Sequence, residues 1–135
     1  MARSEAARDG LFDRITYVHG NFVTLAEDIA EADIVTLDRV ICCYDDVQAL
    51  VSLSAAKARW LYGVTYPVDS LWNKAAMALE NLGYWLRRNP FRAFIHPTRL
   101  VDEIAGSFGL AQVYRGTAFA WPNMWQVVVY ERAAN

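Results

Sequence analysis

The segment ADIVTLDRVICCYDD, residues 32–46, constrains the fold most. Ile34, Val35, Thr36 and Leu37 form a short apolar, β-branched run between Asp33 and Asp38. A run of that length and composition, bounded by charge, predicts a buried strand of a parallel sheet. Residues 40–44 would then lie at the carboxyl end of that strand, where open α/β sheets hold their ligands.

The flanking pattern alternates helix and strand. Residues 2–9 favour a helix that Gly10 would end. Residues 15–19 (ITYVH) alternate and predict a strand, and residues 20–22 turn out of it. Thr24, with Glu27 three residues on, suggests a capping box for a short helix. Asp45 and Asp46 open a helix over 46–57 with Val47, Leu50, Val51 and Ser54 on one face. A strand follows over 59–65, and Asp69 or Ser70 would cap a long helix to Arg88. Its apolar positions 71, 75, 79, 82 and 86 repeat with helical period, predicting a core-facing stripe. A connector over 91–95 leads to a helix beginning at His96, Pro97 and Thr98, with 100, 101, 104 and 108 inward. Strands over 112–119 and 125–132, joined through Trp121, Pro122 and Asn123, predict an antiparallel hairpin. The reading is a single α/β domain over residues 1–135.

Composition removes several function classes. The chain has 135 residues, is 55% hydrophobic and carries a net charge of only −2, with its basic residues in no run. That argues against the electrostatic footprint of a nucleic-acid binder, and no apolar stretch reaches the roughly 20 residues of a membrane span. The N-terminal residues lack the apolar core of a signal peptide. Its two cysteines, Cys42 and Cys43, are neighbours and read as reduced, buried side chains of a cytoplasmic protein. Nothing in their spacing suggests a metal site. The five tryptophans, at 60, 72, 85, 121 and 125, read mostly as core.

The chain resembles the C-terminal part of a class I S-adenosylmethionine-dependent methyltransferase. The motifs that carry the resemblance are FDRITYVHGNF (12–22), ADIVTLDRVICCYDD (32–46), RWLYGVTYP (59–67), FRAFIHP (91–97), FGL (108–110) and WQVVVYER (125–132). Within that superfamily it looks most like small bacterial proteins labelled magnesium-protoporphyrin O-methyltransferase-like. The resemblance implies a Rossmann-like sheet in the strand order 3-2-1-4-5-7-6, of which this chain would keep strands 3 to 7. Two family features are missing: the glycine-rich turn after the first strand and the acidic end of the second. None of the seven glycines forms a GxGxG pattern. The inner edge of 34–37 would be left open, which invites pairing with another chain. Three arrangements follow: a truncated enzyme, a partner chain that completes the sheet as a homodimer or as a missing N-terminal half, or a repacked remnant in which 15–19 closes onto 34–37.

The resemblance also implies site residues. Asn21 stands where the family often places an acidic group near the adenine amino group, with Phe22 beside it, and it could equally be a turn residue. Asp38, Arg39 and Val40 match the segment that lines the cofactor after the fourth strand, and Asp38 with Arg39 could equally be a structural pair. Tyr44 falls at the mouth of the implied active site. Tyr66 and Trp121 are candidate substrate contacts, Trp121 as a wall for a flat aromatic molecule. His96 is the candidate general base, although His96-Pro97 is also a plain helix start. The implied activity is methyl transfer from S-adenosylmethionine to an oxygen or nitrogen of a small molecule, without a metal, provided the pocket is completed. The competing expectation is a non-catalytic remnant that dimerises or serves as a binding module.

Overall fold

Four strands form one mixed sheet in the computed structural model, which describes residues 8, 10 and 12–133. β1 (Ala32–Asp38) pairs parallel with β2 (Ala58–Pro67), β2 pairs antiparallel with β4 (Asn123–Arg132), and β4 pairs antiparallel with β3 (Leu110–Ala120). The spatial order β1-β2-β4-β3 reproduces the fourth, fifth, seventh and sixth positions of the expected sheet. Around it lie α1 (Phe22–Leu25), α2 (Val47–Lys57), α3 (Leu71–Leu86) and α4 (Thr98–Ser107). The helix expected over 2–9 falls outside the described residues, Arg8 excepted.

Register decides which face is buried. Leu37 sits opposite Val64, and Val64 opposite Val128. All three are buried, together with Tyr62, Tyr66 and Tyr130 on the same face. Against that face pack Leu50 and Val51 of α2 and Val101 and Ala105 of α4. The helical period places Val47, Leu50, Val51 and Ser54 on one buried side of α2, and Asp46 caps it by accepting a hydrogen bond from the Ala49 amide at 2.9 Å. The opposite sheet face carries Thr36, Gly63 and Val129 in one row. There, Ile34 and Val127 are exposed.

Several expectations change. Residues 15–19 form no strand, so nothing from that segment closes onto β1, and only Leu37 of β1 is buried. The apolar run of β1 is therefore an edge strand, parallel as expected but open along its outer side. Asn21, not Thr24, caps the short helix: Asn21 Oδ1 accepts from the Val23 amide at 3.0 Å, while Thr24 Oγ1 donates to the Asn21 carbonyl. No bond from Glu27 back to Thr24 completes a capping box, because residues 26–28 turn into a 3-10 helix instead.

The largest change concerns α3. Its apolar stripe points outward, with Leu71, Leu79, Leu82 and Leu86 all exposed, and the buried positions are Asn73 and Met77. Asn73 lies two residues from Leu71 and Ala75, about 200° around the helix. Its amide nitrogen donates to the carbonyls of Val68 (2.8 Å) and Met124 (2.7 Å), and its Oδ1 accepts from the Met124 amide at 2.9 Å. Those bonds dock the helix by a polar clamp, so its apolar side is left to solvent. Asn81, two turns on from Asn73, pairs both ways with the main chain of Ala93 and holds the connector. Trp60, Trp72, Trp85 and Trp121 are likewise exposed rather than core. Among the described residues no helix is long and apolar enough to cross a membrane.

Candidate functional site

Beyond the end of β1 the chain leaves the sheet sharply. The Arg39 amide still bonds to the Thr65 carbonyl of β2 at 3.0 Å, but Arg39 itself adopts φ +56°, a left-handed conformation uncommon outside glycine. A 3-10 turn over Ile41–Cys43 follows, anchored by the buried side chains of Ile41 and Cys42. Both thiols lie 3.5 Å from the Arg39 carbonyl. Burial, and then the neighbouring Cys43, push the Cys42 thiol up to about 12. Cys43 is exposed, contrary to the expectation that both are buried.

Three distant segments meet on this turn. The Phe94 amide donates to the Cys42 carbonyl at 2.8 Å, and His96 Nε2 lies 2.8 Å from the Tyr44 carbonyl. A carbonyl can only accept, so Nε2 carries the hydrogen and Nδ1 of a neutral imidazole keeps its lone pair. The Phe94 and His96 rings stack with centroids 5.9 Å apart. From the other side, Asn21 Nδ2 donates to the Tyr44 hydroxyl at 3.1 Å. The Arg39 guanidinium lies over the Trp125 ring at 4.8 Å from its centroid.

The structure thus links Asn21, Tyr44 and His96 directly, with Arg39 on the turn that carries Tyr44. Asp38 and Val40 are exposed beside it, and Asp38 borders a shallow depression of about 350 Å³ on the open sheet face. Phe22 opens α1 directly after Asn21, and as the first helical residue its amide has no intrahelical acceptor. Two candidates fall elsewhere. Tyr66 faces the core at 1% exposure, and its hydroxyl meets no hydrogen-bond partner among the described residues. Burial, and then the charge of Asp102, raise it to about 12. Trp121 stands in the β3–β4 turn against α3.

A polar network that sequence reasoning missed surrounds Tyr66. Arg115 Nη2 donates to both carboxylate oxygens of Asp102, at 2.7 and 2.8 Å, and the Tyr130 hydroxyl donates to Oδ1 at 2.5 Å. Arg115 Nη1 reaches Gln126 Oε1, and Gln126 Nε2 reaches Thr98 Oγ1, each at 2.8 Å. The available signal was Asp102 adjoining the buried Val101 of α4, together with Arg115 within a strand.

A nucleoside cofactor fits this site in part. Asn21 Oδ1 spends one lone pair on the Val23 amide and keeps one for an amino group. The 39–44 turn supplies a wall at the carboxyl end of β1. The sequence holds no GxGxG turn to supply the rest of such a site. Among the described residues no cluster of three or more His, Cys, Asp or Glu could hold a metal.

No protein-family model matches the chain, and no curated protein sequence matches it. Solved structures do. Magnesium protoporphyrin IX methyltransferase from Synechocystis, with bound SAH, is 17% identical, with 96% of this chain and 58% of that one covered at a TM-score of 0.67. An O-methyltransferase family protein from Burkholderia thailandensis is 18% identical, with 98% and 40% covered at a TM-score of 0.71. An O-methyltransferase family 2 protein from Planctomyces limnophilus, in complex with apigenin, is 15% identical, with 98% and 39% covered at 0.69. This chain spans 39–58% of the length of these three. Its architecture is a partial methyltransferase fold.

Proposed function

We propose that this chain supplies one half of an S-adenosylmethionine-dependent methyltransferase site, acting on an oxygen or nitrogen of a small molecule. The observation that carries the reading is the convergence of Asn21, Tyr44 and His96 at the carboxyl end of β1. When bound, the cofactor brings a methyl group on a sulfonium. Asn21, Phe22, Asp38, Arg39 and Val40 would hold its nucleoside side. Tyr44 would border the acceptor. His96, oriented through Nε2, presents Nδ1 to take the proton of an acceptor hydroxyl. Alignment does most of the work in such transfers. Tyr66 has no part in the acceptor site, since its side chain is buried. Two unpaired thiols suit a reducing compartment, the cytoplasm.

The missing wall must come from elsewhere, either from a second copy or from a further segment of polypeptide. A second reading is favoured by the open outer side of β1 together with the uncovered sheet face: a non-catalytic scaffold that pairs through this edge. Calorimetric titration of S-adenosylhomocysteine into the 135-residue chain, with mass from light scattering, separates the two. The methyltransferase reading expects micromolar binding by the assembled species. A dimer that takes up no S-adenosylhomocysteine overturns a site completed by a second copy, in favour of the scaffold.

A further inference from the structure

α3 reads LWNKAAMALENLGYWL, and the Asn73 clamp turns its apolar side away from the sheet. Every exposed residue of this helix except Lys74 is leucine, tryptophan or alanine. At 100° per residue these fall within an arc of about 140°, opposite the buried Asn73 and Met77. Lys74, the one exposed charge of the helix, is paired with Asp69 at 2.7 Å.

The stripe is large enough to hold a partner. Its six large side chains are each 49–86% exposed, and Trp121 continues the surface beside Trp72 and Leu79. Two of the six are tryptophans, which bury ~150–250 Å² each, so the area is on the order of the ~800 Å² that each partner gives to a standard interface. Apolar patches beyond a few hundred Å² mark docking surfaces. Trp72 Nε1 donates to the Pro122 carbonyl at 2.9 Å, which ties the helix to the β3–β4 turn and preforms the surface.

The order of the side chains identifies the occupant. Leu71-Trp72 opens the stripe and Trp85-Leu86 closes it, so its two ends mirror each other. Laid antiparallel on a second copy, about an axis between Ala78 and Leu79, Leu71 stands level with the partner's Leu86 and Trp72 with the partner's Trp85. Between them, Ala75 is level with the partner's Leu82 and Ala78 with the partner's Leu79. Small thus meets large near the axis, where two helices must interlock to approach closely. A two-fold interface requires one patch to fit itself, and this patch does. The antiparallel sense also sets each helix N-terminus beside its partner's C-terminus, as the helix dipoles favour.

We infer that the exposed stripe of α3 is a self-association surface on which a second copy of this chain docks its own α3, antiparallel and centred between Ala78 and Leu79. The inference rests neither on methyl transfer nor on the open edge of β1.

The test is the mass of the full chain by light scattering across a hundredfold range of concentration. A concentration-dependent rise toward twice the 15.3 kDa of the chain is expected. Leu79→Lys should raise the dissociation constant at least tenfold, with the circular dichroism and the unfolding of the dilute chain unchanged. Ile34→Lys, on the edge strand β1, should leave it within twofold. Oxidative cross-linking in a Cys43→Ser background reads the register. Ala78→Cys, beside the axis, should give a disulfide-linked dimer, and Leu86→Cys, far from its own copy, should not. A chain that is monomeric at every concentration overturns the inference. If that monomer sediments with phosphatidylglycerol vesicles and Leu79→Lys releases it, the stripe belongs to a membrane surface instead. A dimer that Ile34→Lys breaks and Leu79→Lys spares also overturns the inference, as does cross-linking through Leu86→Cys but not Ala78→Cys.

Discussion

The imidazole of His96 donates to the main-chain carbonyl of Tyr44 at 2.8 Å, while Asn21 holds the hydroxyl of the same tyrosine at 3.1 Å. One residue is thus fixed at both ends by segments 23 and 52 positions away in sequence. His96→Ala removes one tether and should lower the unfolding free energy by about 1 kcal/mol, as for a typical lost hydrogen bond. Asn21→Ala also removes a helix cap and should cost a further ~1 kcal/mol. Because both act on Tyr44, the double variant should depart from additivity by roughly 0.5 kcal/mol or more. Urea denaturation of the four-member cycle measures this, and strict additivity would show that the two tethers are independent.

Two acidic neighbours on α4 should behave very differently. Asp102 accepts from Arg115 and from the buried Tyr130 hydroxyl, with ion-pair side chains 26% and 36% exposed. Asp102→Ala leaves the Tyr130 hydroxyl without its acceptor and takes the carboxylate from Arg115, which keeps Gln112 and Gln126, and a loss of about 2 kcal/mol is expected. Glu103 pairs with Arg99 one turn away, both largely in water, and Glu103→Ala should change stability by under about 0.5 kcal/mol. Similar losses for the two variants would contradict this account of the network.

What the sequence disclosed, and what it hid, follows from the kind of force that fixed each element. α2 was legible because its buried side is apolar and its cap is an aspartate. The hairpin was legible because two β-rich runs flank Trp121-Pro122. α3 was misread: an apolar stripe ordinarily marks the buried side, yet here an asparagine with three strong main-chain bonds decides the docking. Residues 15–19 alternate like a strand, but pairing needs a neighbour, and none of the described strands takes them. Tyr66 was placed at the correct end of the correct strand, yet the register turned it to the covered face. A shift of one residue reverses every side chain. The contacts joining Asn21, Tyr44 and His96 come from segments with no sequence proximity, so only the resemblance suggested that they share a site.

The polar clamp on α3 makes an unusual pair of expectations. Asn73→Asp replaces a buried donor with a carboxylate facing the Val68 and Met124 carbonyls. It should destabilise the chain by about 3 kcal/mol or more, since a buried charge would be left unpaired. Leu79→Lys, on the apolar stripe, should leave stability within about 0.5 kcal/mol of the parent. Thermal or chemical denaturation of both variants checks the inversion. A costly Leu79→Lys beside a tolerated Asn73→Asp would return the stripe to the core.

The adjacent thiols provide the last expectation, because burial separates two chemically identical groups. Cys43 is exposed and Cys42 buried, with their sulfurs 3.8 Å apart. Only thiolates react readily, so a disulfide reagent at pH 8 should modify one thiol per folded chain quickly, and Cys43→Ser should abolish that phase. Stability carries the same signature. Burial lifts Cys42 from its ordinary 9.0 to about 12 and Tyr66 from 10.0 to about 12. Between those limits the unfolded chain has released protons that the folded chain keeps, so stability declines as pH rises. The contribution is whole below pH 9 and is lost through pH 12. Cys42 should account for part of that decline by pH 10.5. Urea midpoints measured from pH 8 to 11 should therefore fall less steeply in Cys42→Ala than in the parent. Parallel slopes would mean that Cys42 titrates like a thiol in water.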